Sequence, residues 1–178
     1  MEEDALETEA MAVDVMEVDA IIADSVVTAE GKLFVQGGGW DTIGSATFPF
    51  RQPRIGVGVL LRIPWTRTNE MHTFTLRIVD QDENKIVLAD APPGADTPDG
   101  KIREIAGQFN LGRPPFLSVG DSQIVPIAMN LDGIVFNQPD TYSAVIAIDG
   151  RDKRRLPIRV RAIQMPGMGF SHPPRLSA

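Results

Sequence analysis

The stretch "RIGVGVLLRIPW" limits what this chain can become more than any other. Ile55, Val57, Val59, Leu61 and Ile63 alternate with Gly56, Gly58, Leu60 and Arg62. A period of two puts one set on a buried face of a β-strand and leaves the other opposite. The segment "MHTFTLRIVD" repeats the pattern, with Phe74, Leu76 and Ile78 on one face and Thr73, Thr75 and Arg77 on the other.

The rest of the chain, from residue 17, reads as strands and turns. "VDAIIAD" and "KLFVQG" are apolar runs split by the turn signal Glu30-Gly31. Asp82-Glu83-Asn84 leads into "KIVLAD", which reads as a hairpin. Residues 91–101 form a proline- and glycine-rich loop, after which "IREIAGQFNLG" is expected to bury Ile105, Gly107, Phe109 and Leu111. "QIVPIAMNLDG" offers Val125, Ile127, Met129 and Leu131, and Pro126 places it at an edge or a bulge. "TYSAVIAID" and "RLPIRVRAI" flank the turn Asp149-Gly150. About eight or nine short strands at such spacing, with no helical period after residue 20, predict an all-β fold. The expected architecture is a single antiparallel β-sandwich of immunoglobulin-like or related topology.

Charge divides the chain. Residues 1–20 hold eight acids and no base, whereas the remainder holds 16 acids and 17 bases. An acidic arm over residues 1–16 is therefore expected to be disordered, followed by the sandwich domain at 17–164 and a flexible tail at 165–178. Met16 is an alternative start. No cysteine is present, which excludes disulfides and thiolate chemistry and fits a reducing cytoplasm. The apolar runs are too short to span a bilayer, and the acidic beginning is unlike a signal peptide, so a cytoplasmic location without membrane contact is expected.

Gly37-Gly38-Gly39-Trp40 raises the question of a phosphate loop. Neither Gly-Lys-Ser/Thr nor G-x-G-x-x-G opening a helix follows, so a strand end that bends and leaves room for Trp40 is the better reading. "DQDENK" begins like a calcium loop but has Lys85 and Ala91 where glycine and glutamate are needed, so a polar hairpin turn is expected. His72 and His172 stand in no metal-binding spacing, and Ser45 lacks a nucleophile elbow. No catalytic residue, metal or cofactor is predicted, and the chain is read as not an enzyme.

Two features remain. Arg151, Lys153, Arg154, Arg155, Arg159 and Arg161 form a basic strip, on which alternation places Arg155, Arg159 and Arg161 on one face. It reads either as a solvated edge strand that resists aggregation or as an anion- or partner-binding face. A nearly neutral domain and few aromatics on the strip argue against nucleic acid. The second feature is the corner Trp65, Asn69 and His72 between two patterned strands. There asparagine closes a turn and histidine ties the corner to a carbonyl, or the three residues build a shallow ligand site.

A strand ending at Gly39-Trp40, the segment Pro64-Trp65 with Asn69 and His72, and the turn Pro139-Asp140-Thr141-Tyr142 resemble an uncharacterised bacterial family known only as a domain of unknown function. Asp140 stands where that turn more often has glycine. The resemblance extends over residues 17–163; it implies a compact β-fold and carries no site residue with it.

The expected role is a non-enzymatic binding or interaction module, or a small structural component of an assembly, with an unidentified protein partner. Exposed edge strands would allow a homo-oligomer. The alternative is a small-ligand-binding β-sandwich using the Trp65/Asn69/His72 corner. The full chain and a variant starting at Met16 should melt at the same temperature at moderate salt; a drop of several degrees on truncation would show that the acidic segment docks, with the arginine strip as the expected seat.

Overall fold

The computed structural model describes residues 15–97 and 99–164. The disorder expected of residues 1–14 and of the tail from 165 lies outside the described residues. Met16, expected at the end of the arm, is buried in the core.

The strands are β1 (Glu17–Ala23), β2 (Ser25–Ala29), β3 (Lys32–Gln36), β4 (Thr42–Ser45), β5 (Phe50–Ile63) and β6 (Met71–Val79). They continue with β7 (Ala89–Asp90), β8 (Lys101–Ile102), β9 (Glu104–Asn110), β10 (Gln123–Phe136), β11 (Asp140–Ile148) and β12 (Arg151–Ala162). The helical content of the described residues is one 3-10 turn, Trp65–Arg67. A three-stranded sheet, β1-β5-β10, faces a five-stranded sheet, β4-β12-β11-β6-β9. The result is an all-β sandwich. All pairings in these two sheets are antiparallel except β12–β4, which is parallel.

The alternation in β5 makes the core. Ile55, Val57, Val59, Leu61 and Ile63 are fully buried and meet Phe74, Leu76, Ile78, Ala144, Ile146 and Ile148 from the opposing sheet. Each such side chain contributes about 1.5–3 kcal/mol on leaving water, and a one-residue slip would swap this set for glycines and Arg62. At one end Phe136 and Tyr142 pack at a tilt of 54° with ring centroids 4.7 Å apart, and the Tyr142 hydroxyl donates to the Gln138 carbonyl.

The glycine face of β5 is covered as well. The β2–β3 hairpin, turned by Glu30 and Gly31 with φ of 50° and 69°, lies across it. A Cβ at Gly56 would sit 3.1 Å from the Ser25 backbone and 3.2 Å from the Ala23 carbonyl oxygen. A Cβ at Gly58 would meet the Leu33 side chain at 3.0 Å and Val26 at 3.3 Å. Asn130 of β10 then treats the hairpin as a neighbouring strand: its Oδ1 accepts from Val26 N–H (3.1 Å) and its Nδ2 donates to the Val26 carbonyl (2.8 Å).

Three local expectations change. "KIVLAD" does not form the expected hairpin with β6: Lys85 bridges to Val79, Ile86 N–H donates to the Ile78 carbonyl, and its end, β7, pairs with β8 instead. The reason is occupancy, because β9 already pairs with Met71–Arg77 and only the far end of β6 is free. Gly107 is exposed and not buried, since β9 is an edge whose residues are half-open to water. The Arg155–Arg161 strand is not an edge either, for β4 pairs alongside Arg159–Ala162. Pro157 falls just outside that stretch, so its missing N–H breaks no bond to β4. Pro126 does lie on an edge strand, as expected.

Gly56→Ala should lower the unfolding free energy by about 1–3 kcal/mol, since backbone atoms must yield to the new methyl group. At Gly107 a Cβ meets nothing within 4 Å, so Gly107→Ala should stay within about 0.5 kcal/mol of the parent or gain slightly. Urea denaturation of the two variants checks this, and equal losses would contradict the covered face.

Candidate functional site

The glycine run is a bend. Gly37 and Gly39 take φ of 61° and 93°, and a Cβ at Gly37 would collide with the Asp24 carboxylate. Gly39 N–H donates to the Ile22 carbonyl (2.9 Å), and Trp40 Nε1 donates to Asp24 Oδ1 (3.0 Å). The run ends β3 and seats the indole. The "DQDENK" turn is likewise held from within: Asp80 Oδ1 accepts from the backbone N–H of Asp82 and Asn84, and Oδ2 from the Asn84 amide.

The three corner residues are brought together with unequal exposure. Asn69 takes φ of 63°, a value its short amide side chain tolerates, and its N–H donates to the Leu111 carbonyl (2.8 Å). Trp65 is half-buried beneath the Arg113 guanidinium, which lies 4.4 Å from the ring centroid. Arg113 also donates to the Trp65 carbonyl and to Thr68 Oγ1, and Thr68 donates in turn to that carbonyl. The indole is thus already stacked.

His72 is 1% exposed and packs against Phe109. Its Nε2 lies 2.8 Å from the Arg67 carbonyl and its Nδ1 2.9 Å from Asp149 Oδ2. Both partners are acceptors, so both contacts are hydrogen bonds only when the ring carries both N–H protons. The carbonyl tie anticipated for histidine is present, and the carboxylate comes from Asp149, 77 residues away. In this His–Asp pair Nε2 faces a backbone carbonyl, where a catalytic dyad would present it to a nucleophile.

Asp149 is the hub. It sits in the β11–β12 turn with φ of 50° beside Gly150 at 73°, a pairing that suits Asp-Gly. Its Oδ1 accepts from Thr73 N–H (2.9 Å), and Oδ2 accepts from His72 and Arg67 (2.9 and 3.3 Å). Burial pushes the Asp149 carboxyl upward, but the Thr73 N–H, the His72 bond and the charges of His72 and Arg67 outweigh it and hold it below the usual carboxylate range.

Of the basic strip, Arg155, Arg159 and Arg161 share one face, and each of the three has a partner. Arg155 clasps both oxygens of Glu83 (2.7 and 2.9 Å), Arg159 pairs with Asp41, and Arg161 donates to the Asp140 carbonyl and Thr141 Oγ1. Arg77 on β6 pairs with Asp152. The Arg155 bond comes first among the causes that lower the Glu83 carboxyl. These charges bind one another across the sheet and leave little field to spare.

Two surfaces were missed by sequence reasoning. A cleft of about 490 Å³ opens beside Asp149. Val15, Met16 and Ile148 line it with apolar surface, and Arg67, Arg151 and Lys153 with positive charge. Arg151 and Lys153 belonged to the strip as read, but nothing in the sequence separated them from its paired members. The other surface is the outward face of the hairpin, where cross-strand partners Val27 and Phe34 are 54% and 55% exposed, while Val35, opposite buried Val26, is on the other face. Consecutive apolar residues in "SVVTA" and "KLFVQ" were its signal, since they make both faces apolar. Among the described residues no group of acids and histidines is placed to hold a metal ion, and no helix is long and apolar enough to cross a membrane.

Comparison with known proteins adds a family and a distant likeness. The model of a family of unknown function (DUF6941) matches residues 18–161. An immunoglobulin-like protein from Pseudomonas aeruginosa, known from a crystal structure, is similar at 14% identity over 84% of this chain and 99% of its own, with a TM-score of 0.34. No curated protein matches.

Asp149→Asn should cost about 1–2 kcal/mol at neutral pH, the lower part of the range for charge-assisted bonds because the carboxylate is partly open to water. A carboxyl depressed by folding stabilises above its ordinary range and loses that contribution as pH falls through its folded value. The gap between parent and variant in thermal melts should therefore close in acid; a gap that widens there would contradict the assignment.

Proposed function

Given that the chain belongs to the DUF6941 family, whose function is unknown, we propose from its own geometry that it is a non-enzymatic interaction module that meets a protein partner through the β2–β3 hairpin. The observation that carries this is an apolar pair, Val27 and Phe34, held in the open on a hairpin that cannot easily move. The hairpin rests on Gly56 and Gly58 and is clasped by Asn130, so its exposed face is ordered before any partner arrives. A pre-ordered apolar surface loses less entropy on association than a floppy one, and large exposed apolar side chains in a cluster mark contact sites. A bacterial, cytoplasmic setting accords with the family resemblance and the absence of cysteine.

A second reading, small-ligand binding at the Trp65/Asn69/His72 corner, is favoured by the cleft beside Asp149. Trp65 and His72 are engaged within the fold, so the groups offered to a ligand are the cleft's cations and not the three corner side chains.

Phe34→Ser should leave folding stability within about 0.5 kcal/mol, because the ring is more than half exposed. A photo-crosslinking residue placed at Val27 in the native cells should give one dominant adduct that Phe34→Ser abolishes, while the same residue at exposed Gln108 gives none. An adduct of two copies of this chain would make the partner a second protomer. Equal adducts at both positions, or an adduct indifferent to Phe34→Ser, would overturn the hairpin contact.

A further inference from the structure

We infer that the cleft between the Asp149 turn and the start of β1 binds a small amphiphilic organic anion, a carboxylate with a short apolar body. The inference rests on the small-ligand reading and is independent of the hairpin. Its ground is an imbalance of charge. Along β12 every arginine from Arg155 to the strand's end has a partner, and on the same strand Arg151 and Lys153 have none among the described residues. Those two lie at the cleft.

The remaining charges at the cleft do not cancel them. Asp149 is the acid lining it, and both of its oxygens are already committed to Thr73, His72 and Arg67. Arg67 faces Glu70 as well, with its Nε 3.3 Å from Glu70 Oε2, yet that buried nitrogen makes no hydrogen bond. An anion entering here meets two cations that have no partner among the described residues and a third that is incompletely satisfied, against a carboxylate turned toward its own partners.

The apolar component of the ligand follows from the floor. Met16 and Ile148 are buried side chains of the core, and Val15 stands half-exposed at the margin. Inorganic phosphate would satisfy the rim and leave this floor wet; a neutral alcohol would cover the floor and leave the rim unpaired. Ligand pockets of roughly 300–1,000 Å³ commonly combine such an apolar lining with a few placed polar groups. The β11–β12 turn makes the placement rigid, since Asp149 fixes it to β6 through Thr73 and to the 3-10 turn through Arg67.

The test is a titration of the full chain with hexanoate, followed by backbone amide shifts. Saturable shifts centred on Ile148–Lys153 are expected, with 1-hexanol and inorganic phosphate each weaker by roughly ten-fold or more, about the worth of one lost class of contact. Arg151→Gln with Lys153→Gln should weaken hexanoate by a similar factor while the melting temperature holds, both side chains being at the surface. Phe34→Ser should bind hexanoate as the parent does, which separates this site from the hairpin. Absence of saturation up to tens of millimolar, phosphate binding as tightly as hexanoate, or a double variant that binds unchanged would each overturn the inference.

Discussion

The fold depends on one strand being buried on both faces. β5 carries branched aliphatic residues toward the sandwich core and glycines toward the β2–β3 hairpin. The branched set drives collapse through the area it removes from water. The glycines serve geometry, since only a residue without a Cβ lets the Ser25 backbone approach so closely. The hairpin is thereby a third layer over the small sheet, and Asn130 replaces a missing strand by bonding both backbone groups of Val26. The apolar pair Val27 and Phe34 remains outside because the face beneath it has taken the partners that were available.

The opposite end of the molecule is organised by polar groups. Asp149 joins the β11–β12 turn to β6 and to the 3-10 turn, and His72 passes the connection on to the Arg67 carbonyl. Removing a buried imidazole from water is costly unless its nitrogens find partners, and here each has an acceptor within 2.9 Å. The same carboxylate is unavailable to repel an incoming anion. Structure and proposed binding therefore draw on one arrangement, in which the acid faces inward and Arg151 and Lys153 of β12 line the cleft.

Local pattern carried much of this into the sequence. The alternation at Ile55–Ile63 and Phe74–Ile78, the positive-φ turns Glu30-Gly31 and Asp149-Gly150, and the edge position of Pro126 are properties of neighbouring residues, and each was legible. What distant residues decide was not. The arginines of β12 look free until Glu83 and Asp41, 72 and 118 residues away, come alongside them. Asp149 reads as a turn residue because its chemistry comes from His72 and Thr73 on another strand. Gly56 and Gly58 read as the solvent face of a two-sided strand, and no short-range signal says that a hairpin covers them. The "KIVLAD" hairpin failed for the same reason, since β9 arrives from later in the chain to take the place beside β6.

The hairpin and β5 are expected to open as one body, which keeps the Val27–Phe34 surface ordered. Native-state hydrogen exchange at the Val26 amide tests it most directly, because that N–H is bonded to Asn130 and not to an ordinary ladder partner. An opening free energy for Val26 close to that of the Val59 amide in the centre of β5 is expected, as members of one cooperative unit share their opening. Exchange at Val26 on the order of a hundred-fold or more faster than at Val59, unaltered by Asn130→Ala, would show a hairpin that lifts freely and would contradict it.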